Sequence, residues 1–177
     1  MGLIPYSLFI LLIVSCGSDM EKVRFFDRKT LPTQTIVDGV IVRSSMGNRQ
    51  MRMEAPLIES YDNPEHKTVY PQGVSLTFFE GGSTKPKVSL KAGYAVSYDD
   101  KRRMEARDSV VIIDFGTGDT TYLTNIIWDQ NEQRIFSQKP VRSVNGPRVT
   151  LGDGFESDEN FVHPLIYHQR GTIEWNE

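Results

Sequence analysis

The sequence predicts an all-β domain in which short antiparallel strands are added one after another and the sheet rolls over on itself. Three observations predict it. Between Pro86 and Asp158 the chain is a series of cassettes, each a short alternating run, a small or polar break, a second apolar run and a turn. Their anchors Leu90, Ala106, Thr124, Ser137 and Leu151 lie 16, 18, 13 and 14 residues apart, too close for a helical repeat unit. Gly and Pro, 14 and 9 in number, punctuate these runs as turn residues do. No long segment carries a helical stripe.

The chain begins with an uncharged stretch from Met1 to Ser15 that contains the apolar run Leu8-Phe-Ile-Leu-Leu-Ile-Val14. About a dozen apolar residues suit a secretory signal better than a bilayer span, which takes roughly 20. Ile13-Val-Ser-Cys16 resembles the bacterial lipobox, in which the cysteine is acylated and becomes the new N-terminus. Cleavage after Ser15 leaves 177 − 15 = 162 residues, with Cys16 as the lipidation site. No Lys or Arg precedes the apolar run, which departs from the usual signal; the other reading is an uncleaved anchor. The expected organisation is a signal peptide over 1–15, a lipidated tether over 16–34, a β domain over 35–171 and a tail over 172–177.

Thr35 to Val42 is β-branched and reads as a strand interrupted at Asp38-Gly39. Ser44 to Asn48 is a hairpin turn. Met51, Met53 and Ala55 then share one face by alternation. Tyr61 to Tyr70 reads as an insertion, with a loop at Asp62 to Lys67 by its turn residues. Val74-Ser-Leu-Thr-Phe78 is the cleanest alternation in the chain, and Glu80 to Thr84 is a hairpin tip. Phe161 to Tyr167 is a further strand that Pro164 confines to an edge. The inward set predicted from alternation is Val74, Leu76, Phe78, Val88, Leu90, Val110, Ile112, Ile135, Val141, Val149 and Leu151. It carries no charge. Bulges at Gly93 and Asp108 would exchange faces. Such a set is the core of any β protein, and equally the lining of an apolar trough if the roll stays open at its edges.

Composition excludes several classes. A net charge of −3 spread along the chain offers no basic stripe for nucleic acid. The single cysteine allows no intramolecular disulfide. His66, His163 and His168 have no metal-ligand spacing, and the acids of Gly152 to Glu159 lack that of a calcium loop. No phosphate-binding loop or nucleophile elbow is present. We therefore expect a non-enzymatic protein without cofactor or metal.

Six segments carry a resemblance: Tyr70-Pro-Gln-Gly-Val-Ser-Leu-Thr-Phe-Phe79, Leu90-Lys-Ala-Gly-Tyr-Ala95, Glu105-Ala-Arg-Asp-Ser-Val-Val111, Leu123-Thr-Asn-Ile-Ile-Trp-Asp129, Ile135-Phe-Ser137 and Gly152-Asp-Gly-Phe-Glu-Ser-Asp158. In this order, over roughly Thr33 to Gly171, the chain resembles the LptC family, in the lipoprotein-type form of Bacteroidota-like bacteria. The resemblance implies a twisted open β-jellyroll (OstA/LptA-like). It implies a periplasmic, lipid-anchored protein that receives lipopolysaccharide from an inner-membrane ABC transporter complex. The lipid would pass to a periplasmic bridge protein of similar fold, docked by edge-strand pairing. The family's better-studied members carry a transmembrane helix where this chain has Cys16, so no role of that helix is carried over. The resemblance points to the inner membrane; the residue after Cys16, Gly17, does not itself assign one. The alternative is a structural or glycan-binding surface lipoprotein with a closed β-sandwich, in which Tyr94, Tyr98, Tyr122 and Trp128 would form an exposed aromatic row. A β-solenoid enzyme would need an exposed acidic pair on one strand face, which the sequence lacks.

Overall fold

The computed structural model describes residues 31–62, 64–81 and 83–172. The expected signal peptide, Cys16 and most of the tether lie outside them. The folded unit begins at Pro32 and is described as far as Thr172. Among the described residues there is no helix, and therefore none long and apolar enough to cross a membrane. The all-β expectation is met, among the described residues, by fourteen strands in one antiparallel sheet.

In chain order the strands are β1 (Gln34–Ser45), β2 (Asn48–Tyr61), β3 (Lys67–Tyr70), β4 (Val74–Phe79), β5 (Pro86–Ala92), β6 (Tyr94–Tyr98) and β7 (Arg103–Asp114). They continue as β8 (Thr120–Asp129), β9 (Arg134–Ser137), β10 (Val141–Asn145), β11 (Arg148–Gly152), β12 (Gly154–Asp158), β13 (Leu165–Tyr167) and β14 (Arg170–Thr172). The pairing explains the cassettes. Each cassette is one passage across the sheet, bent near its middle at the break. The first half of one passage pairs with the second half of the next.

Two half-sheets result. One is β2 (C-terminal half), β3, β6, β7 (N-terminal half), β8 (C-terminal half), β9, β12 and β13. The other is β2 (N-terminal half), β4, β5, β7 (C-terminal half), β8 (N-terminal half), β10, β11 and β14. β1 flanks both through its pairing with β2. Backbone irregularities mark the bends. Asp38 has a positive φ of 52°, Gly73 of 92°, and Asp108 and Ser109 of 64° and 60°. The register of β7 against β8 shifts between Arg107 and Val110, so the bulge predicted at Asp108 is present. Gly93 sits opposite it, where β5 ends and β6 begins.

The half-sheets face each other over one core. Phe78 of β4 meets Trp128 of β8 edge-on, with ring centroids 6.1 Å apart. The predicted alternation holds in β4, where Val74, Leu76 and Phe78 are buried, and in β2, where Met51, Met53 and Ala55 are buried. Met46 and Gly47 take positive φ in the β1–β2 hairpin, as a two-residue loop requires.

Three expectations are corrected. The loop expected at Asp62 to Lys67 is present but ends one residue earlier, and the rest of the insertion read from Tyr61 to Tyr70 is β3, which is part of the sheet, with Tyr61 and Lys67 paired. Thr172, expected in the tail, is the last residue of β14, which pairs with β11. Phe161 lies before β13 and belongs to a loop, not to a strand.

Candidate functional site

Register turns the inward residues into rows along the axis of the roll. In the second half-sheet one row runs Ile41, Met53, Leu76, Leu90, Ile112, Thr121, Ser143, Thr150 and Gly171, each paired with the next. It starts in aliphatic side chains, passes through three hydroxyls and ends at a glycine. The Thr121 and Ser143 hydroxyls are buried and 3.1 Å apart, so one donates to the other. In the facing half-sheet, Ser97, Met104, Trp128, Ile135 and Ser157 form a row. Tyr70, Ala95, Ala106 and Ile126 form its neighbour. Burial raises the Tyr70 phenol above its ordinary 10.0, with Asp99 adding to the effect.

Nine of the eleven predicted inward residues are in this core: Val74, Leu76, Phe78, Val88, Leu90, Val110, Ile112, Ile135 and Val141. Leu151 is not, being 42% exposed. Gly152 opposes Val141, and Leu151 opposes the exposed Arg142, so β11 has the parity opposite to that predicted. Thr150 and Gly152 face inward there. Val149 shares the parity of Leu151 and pairs with Val144, yet it is half-buried and is one of the residues that line the end cavity described below. The buried polar residues among those described are Ser89, Thr121, Ser137, Ser143 and Ser157, all hydroxyls, so no charged side chain is buried.

The interior is unevenly filled. Between Leu76, Phe78 and Leu90 on one side and Met104, Ile126 and Trp128 on the other, the centre leaves about 20 Å³. Toward β10, β11 and β14 lies a second, separate cavity of about 540 Å³. Val88, Ile112, Phe155, Phe161 and Ile166 make its apolar wall, and Thr121, Ser143 and Thr150 a hydroxyl band. Asp114, Asp119, Arg148 and Arg170 stand at its border, with Arg148 3.5 Å from Asp119. Sequence reasoning missed Phe155, Phe161 and Ile166. Phe155 was legible in principle, since Phe155 and Ser157 alternate on β12 as residues of one face.

The roll does not close. Among the described residues β1 pairs only with β2, and β13 and β14 bound the other end. β1 presents Val37 at 69% exposure, together with Ile36, Val40, Ile41 and Val42. A long, β-branched edge strand of this kind is a template for another strand.

The aromatic row of the glycan-binding alternative is not assembled. Trp128 is buried and faces inward, with Arg43 over its ring at 5.6 Å. Tyr94 and Tyr98 lie under Arg107 and Lys101, at 4.4 and 4.7 Å. Tyr122 stands apart under Arg142. The acids near the C-terminus have structural partners: Asp153 pairs with Arg170 at 2.8 Å, and Glu156 accepts from Tyr167 at 2.9 Å. Among the described residues no three His, Cys, Asp or Glu side chains gather as a metal site. No family model matches this chain, and no curated protein matches it in sequence.

Proposed function

We propose that this chain is a non-enzymatic lipid-transfer component of lipopolysaccharide export. It receives lipopolysaccharide from an inner-membrane ABC transporter complex and passes it along the apolar β-trough to a periplasmic bridge protein of similar fold. Cys16, acylated, tethers it to the membrane from the periplasmic side. One observation carries the reading: an uncharged inward row runs from Ile41 on the open β1 edge to Gly171 on β14 at the opposite end of the sheet. A closed core needs no such open ends. The exposed apolar β1 suits strand pairing with a neighbouring domain of like fold, which would extend the rows without a break. The resemblance of the six ordered segments supports the same assignment.

One observation favours the other reading, a structural surface lipoprotein with a filled sandwich: the central void of about 20 Å³ holds no acyl chain. Transfer therefore requires the half-sheets, or a side chain between them, to move.

Photo-crosslinking to lipopolysaccharide in cells separates the two. Probes at Leu90, Val110 and Phe155 face inward, and probes at Leu151, Lys101 and Asn131 serve as outward or turn controls. Transfer gives adducts at the inward sites alone. A folded, expressed protein with no inward adduct is the filled sandwich.

A further inference from the structure

Phe161 stands where the packed centre meets the end cavity. It borders the cavity and packs edge-on against Phe78, with centroids 5.1 Å apart and planes at 62°. Phe78 in turn borders the central void. Phe161 is 4% exposed, yet it comes from the loop between β12 and β13.

The loop is built to aim this one ring inward. The Asp158 carboxylate accepts backbone N–H bonds from Asn160 at 2.8 Å and from Val162 and His163 at 3.2 Å. The Phe161 N–H donates to the Asp158 carbonyl at 3.1 Å. Phe161 takes a φ of 53°, in the left-handed region that bulky side chains avoid. Its neighbour Val162 is exposed. Among the described residues, one hydrogen bond ties the loop to the facing half-sheet: Lys87 Nζ donates to the Asn160 carbonyl at 2.6 Å, at the surface. A ring held in this way can leave without breaking a strand ladder.

We propose that the β12–β13 loop is a plug. Withdrawing Phe161 joins the central void to the end cavity and opens the flank of the roll to a single acyl chain; Lys87 latches the loop shut. This rests on the lipid-carrier reading and adds to it a side-chain gate.

The test uses the full chain in lipid nanodiscs, with Trp175→Phe leaving Trp128 as the single tryptophan. The probe is a fatty acid brominated along its chain, which quenches Trp128 on contact. Lys87→Ala and Phe161→Ala should each speed the onset of quenching about tenfold, the effect of losing one charge-assisted hydrogen bond or its equivalent from the closed state. Equal rates in all three proteins overturn the plug and leave the lipid carrier standing. Absence of quenching in all three overturns the carrier, and the plug with it. If Phe161→Ala does not fold, Lys87→Ala decides, because its side chain lies outside the core.

Discussion

The Gly93 N–H donates to the Asp108 carbonyl at 2.7 Å, and a Cβ on Gly93 would lie 2.8 Å from that same oxygen. The bend of one passage is thus seated against the bulge of the next. Gly93→Ala forces the two strands apart and should cost about 1–3 kcal/mol. Gly81→Ala, in open space at a hairpin tip, should stay within about 0.5 kcal/mol. Urea unfolding of both variants checks the contrast.

Leucines 90 and 151 are chemically identical and oppositely placed. Leu90 is buried in the long inward row, and Leu151 lies on the outer face. Leu90→Ala should cost about 2–5 kcal/mol, and Leu151→Ala under about 1 kcal/mol. Equal losses at the two sites would reverse the parity assigned to β11.

The hydroxyl pair of Thr121 and Ser143 closes a buried hydrogen bond at 3.1 Å. A double-mutant cycle of Thr121→Val and Ser143→Ala should show a coupling of about 0.5–1.5 kcal/mol. The single variants should each be worse than the double variant implies, because each strands its partner away from water.

Tyr70 sets an alkaline limit. Its folded pKa is raised above 10.0, chiefly by burial. Below that pH both folded and unfolded phenols are protonated, and the full stability is present. As pH rises past 10 the unfolded phenol ionises first, so stability falls toward the raised folded value. Tyr70→Phe should flatten this loss, measured as the midpoint of urea unfolding from pH 9 upward.

The β1 edge should also pair with itself when no partner is present. Sedimentation of the chain should show association that grows with concentration. Val40→Lys, on an exposed face of that strand, should suppress it.

The fold was largely legible because alternation is strong where an apolar interior faces a polar exterior. Val74, Leu76 and Phe78 satisfy that condition, and so do Met51, Met53 and Ala55. It fails in β11, where the interior is itself polar. Thr150 and Gly152 face in while Val149 and Leu151 take the other parity, so hydropathy points the wrong way. Phe161 was misread for a different reason. An aromatic beside Val162 and ahead of Leu165 has the composition of a strand, and only the Asp158 carboxylate, gathering three backbone N–H groups, winds it into a loop. The bulge at Asp108 was legible because Asp and Ser interrupt an apolar run at the one place where β7 passes between half-sheets.

The bent passages also divide the chain by its tolerance for length change. At a hairpin tip such as Met46-Gly47, an added residue lengthens a turn and nothing beyond it moves. Within a passage, one added residue acts as a frameshift in space: every side chain from there to the next bend trades interior for solvent. A bend resets the phase, as the bulge at Asp108 and Ser109 does for β7. Sequence drift in length should therefore collect at the tips and at the bends, leaving the short runs between them with a nearly constant count of residues.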